Sequence, residues 1–166
     1  FVLVGDGPEK HRLVEQAAAT GLSNVHFFDP INKQSIPALL QWFDIAYIGL
    51  QPHPLFRFGI SPNKLFDYMM AGRVVLQSID AGKGPVQMAD CGLCINPGDI
   101  GAKVSAINKV LSMSPQQRQQ MGERGRRFVL ENHVYPVLAT RLLEEVASAN
   151  ENRCLRTSQI ESRAHL

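Results

Sequence analysis

Short apolar runs alternate with amphipathic stretches along the first hundred residues. Phe1-Val2-Leu3-Val4 closes on Gly5-Asp6-Gly7-Pro8, after which Glu9, Leu13, Ala17 and Ala18 recur at helical spacing until Gly21. That pattern predicts a strand, a tight turn and a helix. The same order repeats: a strand over Val25 to Phe28, a helix around Ser35 to Phe43, a strand over Ile45 to Leu50, and a helix opened by Ser61-Pro62. Two more strands are expected over Val74 to Ile79 and Gly92 to Ile95, with a short helix near Val86 to Ala89 between them. Thereafter the pattern turns wholly helical, with starts at Asn96-Pro97-Gly98-Asp99, Ser114-Pro115 and Pro136 and ends near Met113, Asn132 and Ala149.

Strands that are apolar throughout and alternate with helices belong to a parallel sheet covered on both faces. The predicted class is therefore α/β, a Rossmann-like parallel sheet with helices on both faces. A chain of 166 residues with 45% hydrophobic content suits one such domain. Its expected extent is 1–149, followed by a polar tail over 150–166 that lacks periodicity and reads as flexible. The opening residues have no charged leader and look like a strand entered part-way through a larger protein. A net charge of +2 with no dense basic run argues against a nucleic-acid groove binder. No apolar run approaches the roughly 20 residues of a membrane span. Three cysteines, Cys91, Cys94 and Cys154, are too few for a disulfide scaffold and fit a reducing cytoplasm.

In open α/β sheets the ligand crevice lies beyond the carboxyl ends of the strands. The loops of interest are thus Gly5 to Glu9, Asp29 to Lys33, Gln51 to Lys64 and Asp80 to Pro85. The most specific of the chemistry-bearing stretches is Ser61-Pro62-Asn63-Lys64-Leu65-Phe66-Asp67. Ser61 suits an N-cap and Pro62 the first helical position, which places Lys64 at about the third. A helix start is electropositive, so a lysine there adds like charge unless an anion neutralises it. Asn63, Lys64 and Asp67 share one face, and Leu65, Phe66, Met69 and Met70 form the apolar side. A diphosphate on the amides between Ile60 and Asn63 would meet Lys64, and Asp67 one turn deeper could accept from two vicinal ribose hydroxyls. The plain alternative is a surface Lys64–Asp67 pair worth about 0.2–0.5 kcal/mol.

Other stretches carry less. Gly5-Asp6-Gly7-Pro8 lacks the third glycine of a dinucleotide fingerprint and the Gly-Lys-Ser/Thr of a P-loop, although its glycines allow a ligand near the backbone. The loop Gln51 to Ile60 offers His53, Arg57 and Gly59. Cys91-Gly92-Leu93-Cys94 has no second Cys/His pair and straddles a strand start, so no metal site is expected there. Arg124, Arg126 and Arg127 read as a solvated helix face.

The order VGDGPE, NVHFFDPI, FDIAYIGL, GISPNKLFDYMMAGRVV, CGLCINPGD and MGERGRRFV resembles the C-terminal, donor-binding half of retaining glycosyltransferases of the GT-B fold, group 1 or family 4 type. The similarity runs from Phe1 to about Val146, and the Pro-Asn-Lys-Leu-Phe-Glu/Asp-Tyr-Met core is closest to bacterial O-antigen and capsule enzymes. The resemblance implies a UDP- or GDP-sugar donor, no metal, and transfer with net retention to a growing lipopolysaccharide or capsule glycan. The acceptor, a glycan or lipid-linked chain, would be bound by an N-terminal half, and the family's donor half would begin one strand and helix before Phe1, with a phosphate-binding Arg and Lys. The fragment alone would be inactive, and the enzyme cytoplasmic, with any peripheral membrane association a property of its full length.

By the same resemblance, the ribose-binding glutamate falls on Asp67 and Lys64 faces the diphosphate. The base is read near Pro30 and Ile31, and the Gly5 to Pro8 turn, with Gly5 and Gly7, lines the cleft. The family's first glutamate, with seven intervening residues before Asp67, falls on Gly59, a departure that leaves backbone amides from Phe58 through Gly59, Ile60 and Ser61 to hold the donor sugar. No catalytic residue is assigned within the chain. Two alternatives differ in class: a sugar-nucleotide 2-epimerase of the same fold, for which His53 would be the acid/base candidate, and a flavodoxin-like binding or signalling module, for which Asp6 stands nearly alone.

Overall fold

The computed structural model describes residues 1–60 and 62–164, with the side chains of Arg57 and of residues 150–164 outside that description. The chain forms two compact units, Phe1–Phe43 and Asp44–Leu166. The first contains β1 (Val2–Val4), α1 (Lys10–Ala19), β2 (His26–Phe28), a 3-10 turn at Lys33–Ser35 and α2 (Ile36–Leu40). β1 and β2 pair in parallel with Leu3 opposite Phe27, and α1 is the crossover that parallel neighbours require. Gly5, at φ +147°, turns the chain out of β1 while its N–H donates to the Phe28 carbonyl at 3.2 Å.

The second unit contains β3 (Ile45–Gly49), a 3-10 turn at Pro54–Phe58, α3 (Asn63–Met70), β4 (Val74–Ser78), α4 (Pro85–Met88), β5 (Gly92–Cys94), α5 (Ile100–Ser112), α6 (Pro115–Asn132) and α7 (Tyr135–Ala164). Its strands pair in parallel in the order β3-β4-β5, with Gly49 opposite Ser78 and Gln77 opposite Cys94. The five strands therefore form where the apolar runs predict them, as two parallel ladders, one in each unit.

β4 is central and buried along its whole length, as expected of an apolar strand covered on both faces. Val75 and Ile79 point into a cluster with Ile48, Leu65 and Met69 of α3, Val86, Cys91 and Val129 of α6. On the alternate face α5 packs against β4 and buries Ala106 and Val110, while Lys103 lies over the Tyr47 ring at 5.2 Å. α6 approaches closely because it presents glycines: a Cβ on Gly122 would lie 1.9 Å from the Gly72 carbonyl oxygen, and one on Gly125 2.9 Å from the Cys91 Cβ.

Caps set several boundaries. Asp99 accepts from the Ala102 N–H at 2.8 Å, and Ser114 with Gln117 closes a reciprocal capping box at the start of α6. The helix expected around Ser35 to Phe43 is shorter, because after Leu40 the chain tightens into 3-10 bonds such as Trp42 N–H to Leu39 C=O at 3.0 Å. α7, by contrast, does not end near Ala149 but continues to Ala164. The added stretch has neither Gly nor Pro, so nothing in it breaks a helix once begun. Among the described residues no helix is long and apolar enough to cross a membrane.

The glycine contact makes a direct prediction. Gly122→Ala removes a poor helix residue yet pushes a methyl into the Gly72 backbone, so urea unfolding should show a net loss of about 2–3 kcal/mol. An unchanged or raised midpoint would show that α6 does not rest on Gly72.

Candidate functional site

α3 follows the long loop that leaves the carboxyl end of β3. Its helical bonding begins one residue later than the sequence suggests. Pro62 is extended (φ −72°, ψ 124°) and occupies the cap position, Asn63 is the first helical residue, and the Leu65 N–H closes the first turn on the Pro62 carbonyl at 2.9 Å. Lys64 is thus the second helical residue, deeper in the ring of unpaired amides than expected. Among the described residues no side chain caps this end, and no acid stands in its first turn. Ser61, expected as the cap, lies outside the described residues.

The two faces of α3 separate as their periodicity requires. Leu65 and Met69 are 1% and 0% exposed, each burial worth about 1.5–3 kcal/mol. Met70, expected on that side, is exposed at its edge. Asn63, Lys64 and Asp67 are all exposed, and among the described residues neither Lys64 nor Asp67 belongs to an ion pair. The surface pair that would explain them as mere solvation is therefore not formed. Burial, and then the neighbouring Asp67 carboxylate, push the Tyr68 phenol above its ordinary range, so Tyr68 is a neutral packing residue beside the polar face.

The loop before α3 contains an element that the sequence did not announce, the 3-10 turn Pro54–Phe58. His53 caps it, its Nδ1 accepting from the Leu55 N–H at 3.2 Å with the ring 5.6 Å from that of Phe56. A histidine engaged in this way is a turn cap, which weakens the acid/base role that an epimerase would ask of it. Gly59 ends the turn at φ +102°, ψ 162°, a region that an L side chain rarely adopts, with open space around its Cβ position. Its N–H is already given to the Phe56 carbonyl at 2.9 Å. Of the amides proposed for a sugar, that of Gly59 is therefore taken. Ile60 is half-buried against the core cluster.

In the first unit, Gly7 is exposed and its carbonyl accepts from the Lys10 N–H at 2.9 Å as α1 begins. Asp6, Gly7, Pro8, Lys10, His11 and Val14 line an open depression of about 420 Å³. Pro30 and Ile31 are exposed just beyond β2. A link that sequence reading missed anchors them: Lys10 Nζ lies 2.6 Å from Asp29 Oδ1 and donates to the Phe28 carbonyl at 3.2 Å. Hydrogen bonding to Lys10, and then its charge, hold the Asp29 carboxyl below its ordinary range. The residues stand 19 apart in sequence, beyond any local spacing rule.

The remaining candidates are structural. Cys91 is fully buried, its thiol pushed up to about 12 chiefly by desolvation, and it donates weakly to the Val86 carbonyl at 3.8 Å. Cys94 is half-buried and also raised by burial. Arg124 is not merely solvated: it binds the Asp90 carbonyl at 2.8 Å and the Asp90 carboxylate at 3.0 Å, securing a residue at φ 48°. Arg126 and Arg127 are exposed.

Parallel strands joined by crossover helices, with helices on both faces of the second sheet, define a doubly wound α/β architecture. The family described as Glycosyl transferases group 1 matches residues 1–113, and the chain belongs to it. D-rhamnosyltransferase WbpZ of Pseudomonas aeruginosa is 32% identical over 122 residues, covering 73% of this chain and 31% of that protein. The chain thus spans about a third of the length of this curated relative. Anabaena Alr3699/HepE, solved in complex with UDP-glucose, superposes with a TM-score of 0.70 at 19% identity, over 89% of this chain and 40% of that one. Sucrose-phosphate synthase from Thermosynechococcus elongatus gives 0.70 at 18%, over 91% and 38%. WaaG, a glycosyltransferase involved in lipopolysaccharide biosynthesis, gives 0.64 at 22%, over 84% and 36%. At such identities these structures establish the shared fold.

The conformation at Gly59 can be tested without any ligand. Gly59→Glu should lower the unfolding free energy by about 1–2 kcal/mol because a side chain is strained at this φ. Urea titration of both proteins decides it, and equal stability would mean that the loop readily adopts a different backbone.

Proposed function

We propose that the chain is the donor-binding part of a retaining glycosyltransferase that transfers a sugar from a UDP- or GDP-sugar to a growing bacterial surface glycan such as lipopolysaccharide or capsule. On this reading α3 takes the nucleoside diphosphate: the amides of its first turn and Lys64 hold the phosphates, and Asp67 accepts from the ribose hydroxyls. Asn63 supplies a further polar group on the same face. The observation that carries the reading is a helix start that no described side chain caps, with Lys64 exposed there and Asp67 exposed one turn on, neither of them in an ion pair among the described residues. Such a helix start favours anions, and the lysine doubles that preference rather than opposing it.

Membership of the glycosyltransferase family and the UDP-glucose complex of Alr3699/HepE support a nucleotide-sugar ligand. The chemistry asked of this part is electrostatic. As the glycosidic bond to the diphosphate lengthens, negative charge grows on the leaving oxygens, and preorganised amides with a lysine stabilise it more than they stabilise the bound donor. No divalent ion is required by this scheme. The base-reading role of Pro30 and Ile31, and the lining role of Gly5 and Gly7, rest on the family resemblance. The acceptor half lies in the part of the relatives that this chain does not span, so turnover, the acceptor and any membrane association belong to the full-length protein.

UDP titration of the full-length protein tests the assignment. Lys64→Ala should weaken binding by about 1.5–3 kcal/mol, the worth of a charge-assisted bond. Asp67→Asn should also weaken it, with Asp67→Glu milder, and the loss from Asp67→Asn should largely vanish when the ligand is a 2′,3′-dideoxy nucleotide that lacks the same contact. Excess EDTA should leave the parent curve unchanged. Equal curves for the parent and Lys64→Ala would remove α3 from the binding site.

A further inference from the structure

The polar face of α3 can hold a ligand only if the helix keeps its orientation, and one contact fixing it is unusual. Phe66, between Lys64 and Asp67 in sequence, turns its ring to the corner where α6 passes into α7. There it meets His133, ring centroids 4.6 Å apart and planes tilted by 37°. On its other side His133 meets Phe128 of α6 at 5.3 Å. The corner is itself braced, with Asn132 Nδ2 donating to the Phe128 carbonyl at 2.9 Å and Arg141 of α7 donating to the Asn132 carbonyl at 3.2 Å and to its side-chain oxygen at 3.0 Å. His133 is thus a half-buried, ionisable ring in a position where a hydrophobic aromatic would serve for packing alone.

We propose that His133 is a positioning residue for nucleotide binding: its uncharged imidazole, seated between Phe66 and Phe128, holds α3 in the orientation in which Lys64 and Asp67 take a nucleoside diphosphate, and protonating it weakens that binding. The proposal rests on the reading of α3 as the nucleotide helix.

The surroundings of the ring set the direction. From α3 and α6 the groups against it are the uncharged rings of Phe66 and Phe128, and from α7 the nearby charge is the Arg141 guanidinium. Among the described residues no acid pairs with it, the neighbouring Glu131 and Asp67 included. Desolvation first, and then Arg141, lower its tendency to take a proton below the ordinary value of 6.5. For a base depressed in the packed state, the neutral contact is complete above that ordinary value and is lost as the pH falls below it. A second positive charge, the His133 imidazolium, beside the Arg141 guanidinium would loosen the corner and release Phe66.

The test is UDP affinity of the full-length protein between pH 8 and pH 5, parent against His133→Phe, which keeps a ring in place but cannot be protonated. UDP phosphates titrate in the same range, so the ratio of the two dissociation constants is the readout, since the ligand's own titration cancels. The ratio should lie near one at pH 8 and rise to roughly fivefold at pH 5, the low end of couplings between sites. A ratio that stays flat overturns the proposal. A second measurement needs no variant: coupling is reciprocal, so saturating UDP must lower the imidazole pKa of His133 followed by NMR, and an unchanged value overturns the proposal as well. If Lys64→Ala binds UDP as the parent does, the assignment of α3 fails and takes this inference with it. A flat ratio alongside an impaired Lys64→Ala removes only the role of His133.

Discussion

The second unit depends on how closely α6 can lie on the turn that joins α3 to β4. Gly122 meets the backbone of Gly72 there, and Gly125 meets Cys91 at the start of β5. An added methyl group would clash at either contact, with backbone at Gly122 and with the Cys91 side chain at Gly125, and would separate the layers. Leu65 and Met69 are then enclosed from three directions, by β4 beneath, by Val129 of α6 beside them and by Ile48 of β3. Because these two residues anchor α3 on one side, its remaining positions are forced outward. The exposure of Asn63, Lys64 and Asp67 follows from what α3 buries.

That arrangement leaves an electropositive helix end carrying another positive charge, with no acid in its first turn and, among the described residues, no ion pair between Lys64 and Asp67. A protein selected for stability alone would place Asp or Glu in the first turn, where it would gain about 0.3–1 kcal/mol from the dipole. The choice of Lys64 runs against stability and is understandable as provision for an anion that comes and goes. Gly59 makes the opposite kind of statement. Its positive φ suits the exit from the 3-10 turn that His53 caps, so the loop's shape is maintained by a residue that cannot carry a carboxylate.

Much of the fold was legible along the chain because its signals are local. The apolar runs around Val74 and Ile45 mark strands, Ser114 with Gln117 marks a helix start, and the spacing of Leu65, Met69, Lys64 and Asp67 sorts α3 into its two faces; each of these depends on residues within a turn or two of one another. The class of the protein was legible for the same reason, since a crossover α/β pattern is written in the order of such segments. Boundaries were less so. Pro62 could have opened the helix or capped it, and only its extended ψ decides; α7 had no breaker beyond Ala149, and polarity alone was a poor reason to end it.

What the sequence determined by itself was the kind of each element and the identity of the polar groups on α3, because periodicity and capping are properties of neighbours in the chain. What tertiary structure alone decided was which distant groups meet. Lys10 reaches Asp29 across a crossover, Arg124 holds the left-handed Asp90, Cys91 sinks into the core, and His133 comes to rest on Phe66. No spacing rule encodes these contacts, since each depends on the summed geometry of strands and helices between the partners. The close approach of α6 is decided the same way, by Gly122 and Gly125, whose importance lies in the side chains they lack.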